Sequence, residues 1–190
     1  MQTVRILGSA DHQPDDPTKL SRMGASTAQL VGKTLPKGGY THVFLGSPVA
    51  GATYCELCVG YNAASLGSKP LSLDGWERIA QLFHEMQGAL KGPDDTSDLP
   101  ELQRLVESFT TVSGHTVIDL AQTMTMHFAR TILELEDGVR VLVITDRDLC
   151  GLLAFGLTRR ILKNLRACEG YEIVFRASGV GVITEEFRLL

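Results

Sequence analysis

Short apolar runs alternate along the chain with longer segments whose apolar residues recur at helical spacing. The clearest run covers residues 139–145, is rich in β-branched side chains, and is bounded by Gly138 and by the charged turn Asp146-Arg147-Asp148. This length and composition favour a strand buried on both faces, as at the centre of a parallel sheet. The apolar stretch that follows has basic residues near its far end, which is typical of a helix.

Strand-like and helix-like segments also alternate through the rest of the chain. Short apolar runs predict further strands at residues 4–7, 40–45, 171–176 and 180–187. Apolar residues at helical spacing predict helices over residues 21–35, 49–61, 76–90, about 100–109 and about 115–135. The polar, proline-containing segment 10–19 and the segment 91–99 are predicted to be loops, and 66–73 a loop with room for one short strand.

This order of elements predicts the fold class. Strands that alternate with helices favour a three-layer α/β/α sandwich on a mainly parallel sheet. Only residues 177–179 separate the last two predicted strands, so we expect these strands to pair as an antiparallel hairpin at the sheet edge. No internal repeat or linker divides the sequence, and residues 1–190 are therefore expected to form a single domain.

Composition excludes several classes of function. Apolar residues make up 44% of the 190 residues and charged residues 21%, and the net charge is −4. Without a basic block, the chain is not expected to bind nucleic acid or a membrane surface. No apolar run is long enough to cross a bilayer, and the first residues do not resemble a signal peptide. The expected location is therefore the cytoplasm.

Neither the cysteines nor the histidines provide a complete set of ligands for a metal site. Cys55 and Cys58 have the spacing of a redox or zinc motif, but they fall inside a predicted helix and no second pair completes a zinc set. The four cysteines are therefore predicted to be small buried hydrophobic residues, and no metal or cofactor is expected. Four histidines are predicted to be structural or exposed, namely His42, His84, His115 and His127.

The ends of the predicted strands mark the candidate site. Open α/β sheets bind ligands where strands end and helices begin. Polar or small residues stand at three such ends, and they are the candidate ligand-binding residues Gly8, Ser9, Ser47, Asp146 and Arg147.

Three stretches together resemble the histidine phosphatase superfamily, which has the phosphoglycerate-mutase-like fold. LSRMGASTA at positions 20–28 resembles the helix start that this family writes Leu-Thr-x-x-Gly-x-x-Gln-Ala. VFLGSPVAGA at 43–52 resembles its second strand and the turn Ser-Pro-x-x-Arg-Ala. VLVITD at 141–146 resembles the late strand that ends in His-Gly. The order and spacing of the three stretches match the family across nearly the whole chain.

The same resemblance implies that the catalytic groups are missing. The family's nucleophilic His falls at about Leu7 and the Arg beside it at about Ile6. Its second phosphate-binding Arg falls on Gly51, its second His on Asp146, and the following Gly on Arg147. The family mechanism needs an imidazole to attack phosphorus and cationic groups to neutralise the transferring phosphoryl group.

Three residues near this edge are weak candidates for replacing the lost chemistry. His12 lies in the predicted loop after the first strand and is a candidate nucleophile, although loop histidines are usually idle. Arg147 would restore one positive charge, although a solvated surface Arg is the more ordinary interpretation. For Asp146, the other weak catalytic candidate, and for Asp148, the favoured interpretation is that they cap the following helix. Hydroxyl groups of Ser9 and Ser47 would suit an anion, or simply turns.

A possible general acid is predicted from the same resemblance near Trp76. Asp74 and Glu77 stand by Gly75, where many family members place that acid. Asp74 is more simply interpreted as the cap of the helix that begins at Trp76.

A second family has an Asp-x-Asp motif like Asp146-Arg147-Asp148. In haloacid-dehalogenase-type phosphotransferases an Asp is the nucleophile and Mg²⁺ bridges it to phosphate. That family places this strand first, however, whereas here only 42 residues follow Asp148.

The leading hypothesis from sequence is a non-catalytic protein of the histidine phosphatase fold that binds a small anionic ligand or a protein partner. The alternative is a phosphomonoesterase or phosphomutase-like enzyme with a rebuilt active site. A histidine against the vacated pocket would favour the enzyme, and an apolar or acidic pocket without a basic group would favour the non-catalytic protein.

Overall fold

The structure is a computed structural model that describes residues 1–47, 49–90, 100–162, 165–175 and 181–187. Its helices agree closely with the predicted ones. They are α1 (Arg22–Thr34), α2 (Ala50–Tyr61), α3 (Trp76–Leu90), α4 (Glu101–Ser108), α5 (Val117–Leu133) and α6 (Arg147–Thr158). The predicted loops at 91–99 and 177–179 lie outside the described residues.

A six-stranded sheet of order β10-β9-β1-β8-β4-β5 forms the centre of the molecule. Its strands are β1 (Gln2–Gly8), β4 (His42–Leu45), β5 (Leu71–Ser72), β8 (Arg140–Thr145), β9 (Gly170–Phe175) and β10 (Gly181–Phe187). The four strands β1, β8, β4 and β5 are parallel to one another. Strand β9 pairs antiparallel with both β1 and β10. The mainly parallel sheet with an antiparallel edge is therefore as predicted.

Alternate residues of β8 enter two different apolar layers, as a strand covered on both faces requires. Val141 and Val143 belong to a core that includes side chains of α3, α4, α5 and α6. Leu142 and Ile144 belong to a second core that includes side chains of α1 and α2. The three layers of the α/β/α sandwich follow directly from this alternation.

Two segments differ from the prediction because short ribbons replace loops or helix ends. The predicted loop 10–19 contains the antiparallel pair β2 (His12–Gln13) and β3 (Asp16–Leu20). Likewise β6 (Thr111–Val112) pairs with β7 (His115–Thr116), so α5 begins at Val117 and not at 115. Thr116 and Asp119 form a reciprocal capping box that fixes this start. That residues 1–190 form a single domain stays a prediction.

The cysteines differ from the prediction at one position. Cys58, Cys150 and Cys168 are buried, but Cys55 is exposed on α2 because the helix face at this position does not pack on the sheet. In the part of the chain that the structure describes, no helix is long and apolar enough to cross a membrane.

Candidate functional site

The carboxyl ends of the parallel strands meet at one edge of the sheet, as the parallel register requires. The backbone N–H of Ser9 donates to the carbonyl of Thr145 over 2.7 Å, and Gly46 N–H donates to the carbonyl of Ile144 over 2.8 Å. The ends of β1 and β4 therefore flank the end of β8. Gly8, at the end of β1, lets the start of α6 approach closely, because a Cβ there would lie 2.7 Å from Cγ of Arg147.

Asp146 follows β8 directly and is held by the loop after β4. Its Oδ1 accepts a hydrogen bond from Oγ of Ser47 over 3.0 Å. Although Asp146 is the N-cap residue of α6, its side chain makes no capping hydrogen bond. The predicted side-chain cap is therefore wrong, since the carboxylate turns to Ser47 instead.

A cavity of about 650 Å³ opens at this edge of the sheet. Its wall brings together three of the predicted ligand-binding residues and the candidate nucleophile, whereas Gly8 and Ser47 are not among the described lining residues. Helices α3 and α4 supply the opposite wall. The described lining residues are Ser9, His12, Phe83, His84, Gln87, Pro100, Glu101, Leu102, Arg104, Asp146, Arg147, Asp148, Gly151, Leu162 and Leu165.

His12 lies against the cavity but does not present its ring nitrogens to it. Both Nδ1 and Nε2 are buried, and neither has a hydrogen-bond partner among the described residues. An unsatisfied buried polar group typically costs about 1–3 kcal/mol. A ring nitrogen would have to turn into the cavity before it could attack a substrate there.

Arg147 is exposed and forms an ion pair with Asp11, which is not one of the predicted site residues. Its Nη1 lies 3.2 Å from Oδ1 of Asp11, and both side chains are about two-fifths exposed, at 42% and 44%. A pair this exposed adds little to stability, but it does set a carboxylate against the guanidinium. Arg147 is thus a solvated arginine at the rim of the cavity.

Sequence reasoning missed the residue that organises the far wall, Gln87. Its side chain is 7% exposed, and its Nε2 donates to Oδ2 of Asp148 over 3.0 Å and to Oε2 of Glu101 over 3.1 Å. This one amide therefore joins α3 to α4 and α6. A polar residue four positions after Phe83, on the apolar face of the predicted helix, was the available signal. Asp148, like Asp146, is not explained as a helix cap.

The Gln87 amide also determines which ring nitrogen of His84 carries a hydrogen. Both hydrogens of Gln87 Nε2 are used by carboxylates, so Oε1 faces His84 Nδ1, which lies 2.9 Å away. A carbonyl oxygen only accepts, and Nδ1 must therefore carry the hydrogen. Neutral His84 then has its lone pair on Nε2. The prediction that His84 is structural or exposed is incomplete, because it is exposed and also lines the cavity.

No thiol near this edge is activated. Burial, with smaller contributions from the charges of Asp146 and Asp148, raises the pKa of the Cys150 thiol well above its usual value. Burial also raises the pKa of Cys168 to about 12. Both sulfurs stay protonated at neutral pH, whereas a nucleophilic cysteine requires a thiolate.

The two candidates for a general acid, Asp74 and Glu77, do not line this cavity. Asp74 lines a separate cavity beside His127, and Glu77 is exposed on α3. Neither is among the described residues that line the cavity at the end of β8.

Comparison with solved structures identifies the architecture. Phosphoserine phosphatase from Entamoeba histolytica superposes with a TM-score of 0.64 at 12% identity, covering 100% of this chain and 98% of that one. Phosphoglycerate mutase from Bacillus anthracis gives 0.63 at 12% identity, with 96% and 90% covered. A mycobacterial glucosyl-3-phosphoglycerate phosphatase gives 0.55 at 16%, with 96% and 95% covered. This chain has the phosphoglycerate-mutase-like fold. No protein-family model and no curated protein matches the sequence.

Within the phosphoglycerate-mutase-like fold, the positions that the sequence resemblance assigned to catalysis hold inert groups. Leu7 is 2% exposed and belongs to the core on the α1 and α2 side. Ile6 is fully buried in the opposite core. Around Gly51, a Cβ would find only Cδ1 of Leu45 within 4 Å, so the site of the expected second Arg is open space.

The phosphoglycerate-mutase-like fold also removes the basis of the haloacid-dehalogenase comparison. In the described residues, strand β8 is followed by α6 and then by β9, which pairs antiparallel with β1 and with β10, and not by a further set of parallel strands. Among the described residues, no group of three or more His, Cys, Asp or Glu side chains is arranged to hold a metal ion.

Proposed function

We propose that this protein binds a small polar molecule in the cavity at the carboxyl edge of its sheet and does not catalyse phosphoryl transfer. The observation that carries the proposal is Asp146, which stands at the end of β8 with Ser47 as its hydrogen-bond partner. A carboxylate at this position opposes the binding of a phosphate dianion. A binding cavity remains, but the positions that the resemblance assigns to the catalytic histidines and arginines hold other residues.

The electrostatic argument rests on the fact that Ser47, the hydrogen-bond partner of Asp146, is uncharged. A hydroxyl group stabilises a carboxylate without cancelling its charge, so Asp146 keeps its charge toward the cavity. Two like unit charges 4 Å apart repel by about 4 kcal/mol at an effective dielectric constant of 20. That magnitude exceeds the gain from one charged hydrogen bond, about 1.5–3 kcal/mol.

The absence of a nucleophile at the position that the family resemblance calls for supports the same proposal. Leu7 has no lone pair and is enclosed in the core. His12 has lone-pair chemistry, but neither of its nitrogens reaches the cavity. The volume of about 650 Å³ favours a small molecule over a protein partner, because it is in the range of small-molecule sites.

A second candidate function is a phosphomonoesterase or phosphomutase-like enzyme with a rebuilt site. One observation favours it: His12 lies on the cavity wall with both ring nitrogens unpartnered among the described residues. This candidate requires a movement of the ring that brings one of these nitrogens into the cavity. The solved structures of this fold include a phosphoserine phosphatase and a phosphoglycerate mutase, which is an argument from fold alone.

The test is phosphate release from a broad panel of phosphomonoesters between acid and neutral pH, with and without Mg²⁺. Wild type is compared with His12→Ala and Asp146→Ala, and with His115→Ala as a control at an exposed histidine away from the cavity. Release no faster than in buffer supports the binding protein. Turnover lost in His12→Ala but kept in His115→Ala establishes the rebuilt enzyme. Turnover that needs both Mg²⁺ and Asp146 also overturns the proposal.

A further inference from the structure

We propose that Cys55 and Cys58 on α2 form a binding site for a soft monovalent metal ion, copper(I), which is held between their two sulfur atoms. This site shares no described lining residue with the cavity at the end of β8, so the proposal does not depend on the proposed function. The sequence argument against a metal at these cysteines applied to zinc, which requires four ligands. Copper(I) is selected by thiolates and is held by as few as two of them.

The first argument is the position of the two side chains on one helix. Both cysteines lie inside α2 (Ala50–Tyr61) and both are free thiols. Side chains three positions apart on a helix are neighbours, and here both line one surface cavity of about 570 Å³. Cys55 is exposed and Cys58 is 7% exposed. An ion can therefore enter from solvent at Cys55 and reach both side chains.

The helical spacing favours a metal ion over a disulfide bond between Cys55 and Cys58. Helix positions three apart have Cβ atoms about 5–6 Å from each other, whereas a disulfide requires about 3.5–4.5 Å. Formation of a disulfide would therefore distort α2. A linear sulfur–metal–sulfur arrangement places the two sulfurs roughly 4–5 Å apart, about twice a metal–sulfur bond. The regular helix accommodates that separation.

The surroundings of the two thiols favour a soft ion with two ligands. Glu56 lies between them in the sequence, but its Oε2 accepts from Nε2 of Gln29 on α1 over 2.7 Å. The described lining of this cavity contains no charged residue and includes the apolar side chains Val59 and Ala63. Magnesium and calcium prefer oxygen ligands, and zinc would need two ligands more. No group of three or more potential ligands occurs among the described residues.

The thiol of Cys58 must lose its proton when the metal binds. Burial raises the pKa of this thiol, and contacts with the Tyr54 hydroxyl and the Leu66 backbone N–H partly offset the effect. A backbone N–H beside a sulfur also stabilises a metal-bound thiolate. Since the thiolate is the metal ligand, the affinity for copper(I) should rise with pH.

Competition with a coloured chelator tests the site. The full chain, reduced and under anaerobic conditions, is titrated into the copper(I) complex of bicinchoninate, whose absorbance falls as the protein removes the metal. We expect one copper(I) ion per chain. Cys55→Ala and Cys58→Ala should each lower the affinity about 100-fold or more, because changes in residues that only support a metal ligand already cost about 10–100-fold.

A matched control separates loss of a ligand from loss of a thiol. Cys168→Ala removes a cysteine that is as buried as Cys58 but lies outside α2, so the Kd for copper(I) should stay within about twofold of wild type. Circular dichroism establishes that each variant is folded. If Cys58→Ala does not fold, the exposed Cys55 carries the test alone. X-ray absorption at the copper edge should show two sulfur neighbours and no nitrogen or oxygen neighbour.

Four results would overturn the proposal. They are no removal of copper(I) from the chelator, affinity unchanged in Cys55→Ala, one copper(I) shared by two chains, and zinc(II) bound at these cysteines as tightly as copper(I). One ion per chain, lost in Cys55→Ala and kept in Cys168→Ala, supports it.

Discussion

Oγ of Ser47 donates a hydrogen bond to Oδ1 of Asp146 over 3.0 Å, and these two residues are 99 positions apart in the sequence. The bond joins the loop after β4 to the first residue after β8. It explains why the Asp146 side chain leaves the N-terminus of α6 uncapped. The negative charge of Asp146 is consequently fixed at the place where the resemblance to histidine phosphatases calls for a histidine.

Removal of this charge should improve the binding of anions. Asp146→Asn keeps the shape and a hydrogen-bond acceptor for Ser47 but removes the repulsion of phosphate. We expect inorganic phosphate to bind on the order of tenfold more tightly to the variant than to wild type, as follows from loss of a nearby like charge. Calorimetric titration with phosphate measures the change. Equal affinity in both proteins would show that Asp146 does not act on the cavity.

His84 should be detected as the Nδ1–H tautomer. Nδ1 of His84 lies 2.9 Å from Oε1 of Gln87. Because a carbonyl oxygen only accepts, Nδ1 must carry a hydrogen. Long-range ¹⁵N–¹H correlation spectra at pH 8 distinguish the two tautomers. Gln87→Leu should abolish this preference at His84 and leave the spectrum of His115 unchanged. An Nε2–H signal from His84 in wild type would contradict the proposed orientation of the Gln87 amide.

The aromatic cluster of the larger core should dominate stability. Phe128 on α5 is fully buried, with its ring centroid 6.1 Å from that of Trp76 and 5.6 Å from that of Phe175. Phe128→Ala should lower the free energy of unfolding by about 3–5 kcal/mol. Met126→Ala on the same helix is the control, because Met126 is 64% exposed; we expect a change within about 0.5 kcal/mol. Urea denaturation measures both, and similar losses in the two variants would contradict the packing described.

Thiol chemistry should report on one cysteine only. Cys55 is exposed, whereas the other three cysteines are buried. Burial raises the pKa of the Cys58 thiol, raises that of Cys150 well above its usual value, and raises that of Cys168 to about 12. Since the thiolate is the reactive form, the three raised values suppress reaction at pH 8. A colorimetric disulfide reagent should therefore label one thiol rapidly in the native protein. Cys55→Ser should remove that rapid phase, and a rapid phase of two or more thiols would contradict the burial described.

The layered fold was predictable because it depends on local patterns. The run at 139–145 has the length and β-branched content of a strand covered on both faces, and the structure buries Val141 through Ile144 completely. The ribbon β2–β3 was not predictable in the same way. Its short strands contain polar residues and Pro17, which lack the alternation of an amphipathic strand.

The candidate site was predictable on one side only. Asp146, Arg147 and Ser9 follow strands directly, so a parallel sheet places them at one edge whatever the loops do. Gln87 and His84 lie within a helix, and their roles depend on carboxylates that α4 and α6 bring to them. Such tertiary partners leave no trace in local spacing, apart from an amide on an otherwise apolar helix face.

The central claim is that Leu7 stands where the family resemblance calls for the nucleophile and that His12 does not replace it, and trapping the product tests it most directly. The protein is incubated with phosphoramidate, a reactive donor of phosphoryl groups to histidine, and its intact mass is measured at neutral pH. We predict that no phosphoryl group maps to His12 in wild type, because both of its ring nitrogens are closed off, whereas exposed histidines such as His115 react with the reagent itself. A phosphorylated species that maps to His12, and that is absent in His12→Ala, would contradict the account.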